Sequence, residues 1–142
     1  MRLTAFTDYG LRTLIYLACL PPEQLSSVSE VSNTYQVSQN HMVKVVGQLR
    51  KLGYIEAYRG KNGGITLAKP AEEICIGEVI VALENHLDGV DCAGTKCRLQ
   101  PACQLRQALN EGMQAFVDVM NQYSLADVTA DKERIKPLLF GA

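Results

Sequence analysis

Three of the five cysteines in this sequence lie within twelve residues of one another, with the spacing Cys92-x4-Cys97-x5-Cys103. Thiolates this close together in a glycine-containing loop can converge on one metal centre, because such a loop bends freely. Structural zinc usually takes paired Cys-x2-4-Cys units with four ligands nearby, and the sequence lacks that pattern. Three cysteines without a neighbouring fourth suit an iron–sulfur cluster completed by a different ligand. From the spacing alone, a zinc site, a redox-reactive thiol pair and ordinary loop cysteines remain alternatives.

The remaining cysteines are expected in the core. Cys19 falls on an apolar helical pattern, and Cys75 stands between two isoleucines. An odd number of cysteines, in a chain whose start does not resemble a secretion signal, argues against a disulfide framework. We therefore expect a reduced, cytoplasmic protein. No apolar run reaches the length of a membrane-spanning helix, so no membrane partner is expected.

The net charge of −1 hides an uneven distribution along the chain. Residues 35–69 carry six cations and one anion, whereas residues 70–142 carry six cations and eleven anions. A basic segment inside a nearly neutral chain is typical of a surface that binds phosphates. A solvated helix face is the alternative that charge alone leaves open.

Two helices are predicted before residue 36. Thr7 or Asp8 could cap the first helix, which should end after Leu20 because two prolines follow. The second helix should begin near Ser27 or Ser29, where Ser27-x-x-Glu30 has the form of a capping box.

A third helix is predicted over residues 39–52, with one apolar face and a stop at Gly53. A short helix, a tight turn and a second capped helix make the helix-turn-helix layout. The first turns of such a recognition helix meet base edges in DNA. A surface or partly buried position is the alternative for the histidine among them. The expected contacts from this helix are Ser38, Gln39, Asn40, His41 and Lys44.

A β-hairpin is predicted directly after the recognition helix, and we interpret it as a wing. Residues 54–58 and 65–68 favour strands, and the glycine-rich residues 59–64 favour the turn between them. Glycines allow close backbone approach, and cations suit the electronegative minor groove. Asn-Gly is also an ordinary hairpin turn signal. The expected contacts from the wing are Arg59, Gly60, Lys61, Asn62 and Gly63.

The second half of the sequence predicts a helix over residues 76–84, a loop over residues 85–100 and a long helix from Pro101 to about Gln122. The long helix carries an apolar stripe, and Gly112 in its middle would suit close approach of another helix. We expect this helix to form a dimer interface, with coverage of its own winged domain as the alternative.

The expected fold is mainly α. A winged helix-turn-helix domain with a two-stranded wing is followed by a long C-terminal dimerisation helix. The expected divisions are residues 1–84 for the DNA-binding domain, residues 85–103 for a cluster-binding loop, and residues 101–142 for the dimerisation helix and C-terminal tail.

Five stretches of the sequence match a known pattern: Leu3-Thr4 through Asp8-Tyr9-Gly10-Leu11-Arg12, Val37-Ser38 to Leu52-Gly53-Tyr54, Arg59-Gly60-Lys61-Asn62-Gly63-Gly64, Ile76-Gly77-Glu78-Val79 and the three clustered cysteines. Taken together, they resemble the Rrf2 family of bacterial transcription regulators over essentially the whole chain. The combination of Phe6-Thr7-Asp8-Tyr9-Gly10, Asn40-His41-Met42-Val43-Lys44 and Arg59-Gly60-Lys61-Asn62-Gly63-Gly64 is most similar to the nitric-oxide-sensing, NsrR-type repressors of that family.

The resemblance implies a homodimer with one [4Fe-4S] cluster per subunit, bound by Cys92, Cys97 and Cys103, although a [2Fe-2S] cluster is possible. It also implies that the fourth ligand is Asp8 from the other subunit, a residue whose alternative role is capping or dipole stabilisation at a helix start. Family members that regulate iron–sulfur assembly use a histidine three residues after the last cysteine. Arg106 stands there in this sequence, which favours the nitric oxide sensors.

The function expected from sequence is a repressor that binds double-stranded operator DNA as a dimer and responds to nitric oxide. A regulator that senses iron–sulfur supply, iron or redox state through the same cysteines is the main alternative. An iron–sulfur electron carrier, a redox enzyme and a winged-helix protein-interaction module are more remote. We expect no enzyme activity, because no nucleotide-binding glycine motif follows a strand and no nucleophile–base pair is apparent.

Overall fold

The computed structural model describes residues 1–141 and confirms the expected fold class. Helices dominate, and an antiparallel hairpin follows the third helix. No helix in this part of the chain has the length and apolar character needed to cross a membrane. In chain order the elements are α1 (Ala5–Ala18), α2 (Val28–Tyr35), α3 (Gln39–Lys51), β1 (Ile55–Tyr58), β2 (Gly64–Leu67), α4 (Ile76–Leu83), α5 (Cys92–Thr95), α6 (Gln104–Met120), α7 (Leu125–Val128) and α8 (Lys132–Phe140), with 3-10 turns at Ala71–Glu73 and Gln100–Ala102.

Helix α1 begins earlier than the sequence suggested. Its N-cap is Thr4, whose hydroxyl accepts a hydrogen bond from the Thr7 N–H at 3.4 Å. The prediction that Thr7 or Asp8 caps the helix is therefore wrong, because both residues lie inside the first turn. Thr7 is fully buried, and its hydroxyl forms a hydrogen bond inside the fold instead of capping the helix. Burial of Leu14, Tyr16 and Leu17 sets the inward face of α1.

Helices α2 and α3 form the predicted helix-turn-helix. Ser27 caps α2 by accepting from the Glu30 N–H at 3.1 Å, while the Glu30 carboxylate accepts from Ser26 Oγ. Gln36 ends α2 in a left-handed conformation with φ of 55°, which turns the chain toward the next cap at Ser38. The predicted apolar face of α3 is confirmed, since Met42, Val45, Val46 and Leu49 are all buried.

Strands β1 and β2 form the predicted hairpin, with Ile55 opposite Leu67 and Tyr58 opposite Gly64. Close to its turn, strand β2 is attached to the segment before α2. Ser26 and Ile65 exchange backbone hydrogen bonds of 3.0 and 2.8 Å across an isolated bridge. A side chain at Gly64 would collide with the Ser26 carbonyl, so this close approach needs glycine.

The end of the chain folds back onto the winged domain. Leu125 in α7 is fully buried, and its N–H donates to the Ile74 carbonyl at 2.8 Å. Farther along, the Phe140 ring of α8 packs edge-on against Tyr16 of α1, with ring centroids 5.0 Å apart. The segment expected as a tail therefore contributes to the same core as α1.

The long helix α6 begins three residues later than expected. Pro101 lies in the 3-10 turn before it, and Cys103 occupies the N-cap position. The prediction that Pro101 opens the helix is wrong, because the chain makes this separate turn first. At ~1.5 Å per residue, the 17 residues of α6 extend about 26 Å. Asn121, just past the end of α6, packs against Gly77 of α4. A side chain at position 77 would collide with Asn121.

Candidate functional site

The outer face of α3 presents polar and basic side chains. Ser38 caps the helix through a hydrogen bond of 3.4 Å from the His41 N–H to its hydroxyl. Gln39, Asn40 and Lys44 follow and are exposed, while the opposite face is buried. Amide side chains can pair with adenine edges, and lysine can reach guanine or phosphate. The four exposed residues thus have the chemistry of a recognition helix, and their assignment as base contacts stays a prediction.

The His41 side chain lies between α3 and α1. Its ring is 5.1 Å from the Tyr9 ring in an edge-on arrangement and 6.2 Å from the Phe6 ring. The imidazole is half-buried by these contacts, so it helps to hold the two helices together. Its predicted contact with DNA is untested, and in this structure its neighbours are aromatic rings.

The tip of the wing is exposed and basic. Arg59, Lys61 and Asn62 project from the turn, and Gly60 has a φ of 99° that few other residues adopt. A side chain at Gly63 would collide with the Tyr58 carbonyl, so glycine closes the turn. These positions have the chemistry to meet phosphates or the minor groove, and their contacts with DNA stay a prediction.

Tyr58 at the end of β1 is exposed and donates to a Glu56 carboxylate oxygen at 2.8 Å. That hydrogen bond raises the pKa of the Tyr58 hydroxyl above its ordinary value of 10.0. The pairing occupies the carboxylate of Glu56, the one anion in the sequence of residues 35–69.

The three clustered cysteines lie in separate short elements. Cys92 is the first residue of α5, and Cys97 follows Lys96, whose φ is 51°. Cys103 caps α6, where its Sγ accepts a hydrogen bond from the Arg106 N–H at 3.3 Å. All three thiols are free and half-buried. The Cys103 thiol thus lies at the N-terminus of α6, and the thiolate is the form of cysteine that binds metal.

The donor chemistry of this segment fits an iron–sulfur cluster, whose irons take cysteine thiolates as ligands. The structure does not gather the thiols, because no group of three histidine, cysteine, aspartate or glutamate residues within residues 1–141 could hold a metal ion. Between Leu83 and Leu125 no residue is fully buried. Rearrangement of the cysteine segment around a bound group would therefore disrupt little core packing.

Asp8, the fourth ligand that the family resemblance implies, lies on the exposed side of α1. Its carboxylate pairs with the Arg12 guanidinium at 2.9 Å, one helical turn away. The Arg12 carbonyl accepts from the Tyr35 hydroxyl at 2.8 Å. Burial raises the pKa of Tyr35 well above its ordinary value of 10.0. The structure thus gives Asp8 a partner within its own helix and leaves its role as a ligand untested.

Glu84 is a residue that the sequence did not single out. It ends α4, directly before the cysteine segment, and one of its carboxylate oxygens accepts from Thr7 Oγ1 at 2.6 Å. The same oxygen accepts from the Thr4 hydroxyl at 3.1 Å and the Thr4 N–H at 3.2 Å. These contacts join residues about 80 positions apart, so no local sequence signal could have revealed them. Glu84 ties the start of α1 to the end of α4.

The two remaining cysteines were expected in the core, and the prediction is confirmed for Cys19 but wrong for Cys75. Cys19 is fully buried after the last turn of α1, and burial raises the pKa of its thiol above 9.0. Cys75 is half-buried and lies 3.6 Å from the Asn121 carbonyl.

Comparison with known proteins agrees with this geometry. The model of the Rrf2 family, described as iron-dependent transcriptional regulators, matches residues 3–131. Among solved structures, the fold is similar to the global cysteine regulator CymR of B. subtilis, with a TM-score of 0.73, 23% identity, and coverage of 92% of this chain and 97% of that one.

Two further structures show the same fold. T. potens IscR matches with a TM-score of 0.74 and 23% identity over 96% of this chain and 91% of that one. Staphylococcus aureus CymR matches with a TM-score of 0.70 and 27% identity over 88% of this chain and 95% of that one. Because the family model spans most of the sequence, from the start of α1 to the start of α8, this chain belongs to the Rrf2 family of transcriptional regulators.

Proposed function

We propose that this chain is a nitric-oxide-responsive repressor that binds operator DNA as a homodimer and is released when its iron–sulfur cluster is nitrosylated. Within the Rrf2 family, the observation that supports this reading is the cysteine segment. It holds three free thiols beside the winged domain, and that of Cys103 caps the long helix α6. The DNA-binding domain would then be residues 1–84, and the cluster-binding loop would be residues 85–103. The dimerisation helix and the C-terminal segment would be residues 101–142.

The residues that would hold the cluster are Cys92, Cys97 and Cys103, with Asp8 of the other subunit as fourth ligand. When bound, a [4Fe-4S] cluster supplies reactivity toward nitric oxide. Thiolate ligation by the chain holds it, and the Cys103 thiolate would be stabilised by the Arg106 N–H. Asp8 belongs to the same helix as Tyr9, which packs on His41 of the recognition helix. If the Asp8 carboxylate gains or loses a bond to the cluster, the change would therefore act on α1, the helix that supports α3.

A homodimer is supported by the exposure of α6. No residue of this 17-residue helix is buried within the chain, although its apolar side chains include Leu105 with 65% exposure and Val119 with 46%. A side chain at Gly112 would meet no atom within 4 Å, so another helix has room to approach there. A second copy that covers this face would remove these apolar side chains from water.

The docking on DNA would use α3 in the major groove and the wing tip near the minor groove. Residues 35–69, which contain both, carry a net charge of +5, so each bound phosphate would release counterions and make binding strongly salt-dependent. The proposed contacts are Ser38, Gln39, Asn40, His41, Lys44, Arg59, Gly60, Lys61, Asn62 and Gly63.

The test of the cluster is an anaerobic absorption spectrum with iron and sulfide analysis, repeated during stepwise nitric oxide addition. Visible absorbance that bleaches with nitric oxide, together with simultaneous loss of operator binding, is expected for the wild type. Cys97→Ala should lose both the cluster and tight specific binding, whereas the matched Cys75→Ala variant should retain both. Tight specific binding by colourless Cys97→Ala would refute cluster-gated repression.

The ligand role of Asp8 needs its own variant. Asp8→Ala leaves three thiolates in place, so the cluster should persist in a more labile form while its effect on DNA affinity changes. Arg12→Ala removes the other member of the ion pair and serves as the control for loss of that pair alone. If Asp8→Ala equalled the wild type in cluster stability and in DNA binding, the assignment of the fourth ligand would be wrong.

A regulator of iron or iron–sulfur supply is the second candidate, favoured by the iron-dependent description of the family. Here the affinity for operator DNA should follow cluster occupancy and should not respond to a few molecules of nitric oxide per cluster. The same titration thus separates the two functions, because only the first predicts release at low nitric oxide.

A further inference from the structure

Val43 is an apolar side chain on the exposed face of the proposed recognition helix. Its exposure is 52%, whereas the preceding residue, Met42, faces the core and is fully buried. The residues one turn away on the same face are Gln39 and Asn40 before it and Gly47 after it. Val43 therefore forms a small apolar patch on an otherwise polar and basic surface.

The fold does not explain a valine here. Half of the side chain is outside the core, and valine is a weaker helix former than alanine or lysine because its branched side chain loses rotamers. A side chain at Gly47 would have no neighbour within 4 Å, so the surface beside Val43 is open. At Val43 and Gly47, another molecule can therefore approach α3 closely and meet an apolar side chain.

We propose that Val43 contacts the C5-methyl group of a thymine in the operator and so contributes to sequence specificity. This inference rests on the proposed docking of α3 in the major groove. Thymine is the base that presents a methyl group there, and apolar side chains recognise it. The polar residues one turn earlier can pair with base edges, so Val43 would read a neighbouring base pair.

The size of the effect follows from the methyl group. Burial of one such group is worth ~0.8 kcal/mol, which corresponds to about fourfold in affinity. Replacement of thymine by deoxyuridine removes this group and keeps the hydrogen-bonding edge. A full-length, anaerobically purified protein is first used to select its preferred duplex from random sequences. Each thymine of that duplex is then replaced singly, and the Kd is measured by fluorescence anisotropy at fixed salt.

For the wild type, we expect one thymine per half-site whose replacement weakens binding about fourfold. With Val43→Ala, that position should become insensitive, while the effects at other thymines stay as they were. Val43→Thr keeps one γ-methyl group and should retain part of the sensitivity. The matched control is Val81→Ala, which removes an exposed valine of α4 with 48% exposure and should leave the deoxyuridine profile unchanged.

Three outcomes would overturn the inference, and they are distinguishable. If the profile of Val43→Ala equals that of the wild type while Lys44→Ala weakens binding, the proposed docking stands and the methyl contact is wrong. If Val43→Ala changes the oligomeric mass instead of the profile, the valine serves a protein contact. If the protein selects no specific duplex and Lys44→Ala has no effect on binding to mixed duplexes, the docking of α3 fails as well.

Discussion

The contact between Glu84 and the start of α1 leads to a specific prediction about stability. Replacement of Glu84 by alanine removes the acceptor for the Thr7 hydroxyl at 2.6 Å and for the Thr4 hydroxyl and N–H at 3.1 and 3.2 Å. The first of these donors is fully buried, whereas Thr4 is exposed and can turn to water. Most of the loss should therefore come from Thr7.

The magnitude can be worked out from these partners. A hydrogen bond to a charged group contributes ~1.5–3 kcal/mol. Thr7 keeps one weaker partner, since the Thr4 hydroxyl is 3.2 Å away, which places its loss near the lower end of that range. A carboxylate beside the N-terminus of α1 adds roughly 0.3–1 kcal/mol through the helix dipole. We expect Glu84→Ala to lower the free energy of unfolding by about 2 to 3 kcal/mol.

The assay is urea unfolding followed by far-ultraviolet circular dichroism at constant protein concentration, because dimerisation would otherwise shift the transition. Glu84→Gln keeps an oxygen acceptor but loses the charge, so its loss should be about half as large. Glu73→Ala is the control, since residues 1–141 offer the Glu73 side chain no hydrogen bond or ion pair; it should change stability by less than ~0.5 kcal/mol. A Glu84→Ala variant as stable as this control would refute the account of the contact.

Three further predictions concern other parts of the molecule. Leu125→Ala should cost about 2 to 5 kcal/mol in urea unfolding, because it empties a fully buried position; a loss like that of an exposed leucine such as Leu138 would contradict the packing of α7. Burial raises the pKa of the Cys19 thiol above 9.0, so the unfolded chain loses this proton at a lower pH than the folded chain does. The free energy of unfolding should therefore fall as the pH rises past about 9, and it should fall less steeply between pH 8 and 10 in the Cys19→Ala variant. Lys44→Ala should reduce the slope of log affinity against log salt by roughly 1 if the lysine binds a phosphate, and an unchanged slope would assign it elsewhere.

The elements with strong local patterns were predictable. The buried face of α3 and the caps at Ser27 and Ser38 follow from spacing and side-chain chemistry within a few residues. The hairpin was readable for the same reason, since turn glycines and β-favouring residues are adjacent in the chain.

The misplaced boundaries depend on contacts between distant residues. The start of α1 at Thr4 is stabilised in part by Glu84, which comes 80 residues later. Ser124-x-x-Asp127 is a capping-box pattern that could have predicted α7, and both of its hydrogen bonds are present. The burial of Leu125 could not be read from that pattern, because it depends on the fold around Ile74.

The candidate site divides in the same way. The residue types and spacing of the cysteines and of the recognition helix were visible in the sequence. The position of His41 was not, because its ring packs on side chains from α1. The partners of Asp8 also needed the structure, since the sequence could not show that Arg12 lies 2.9 Å from its carboxylate.

The bridge between Ser26 and Ile65 has a consequence for how DNA shape would be sensed. With both backbone hydrogen bonds made, strand β2 of the wing is held beside a third extended segment at Ile65, close to the turn of residues 59–63. The distance from the basic tip to the polar face of α3 is then largely set before DNA arrives. A duplex whose groove width does not match that distance must itself deform, and the cost of its deformation depends on its sequence. Through these two backbone hydrogen bonds, the wing would favour DNA sequences whose groove width already matches that distance.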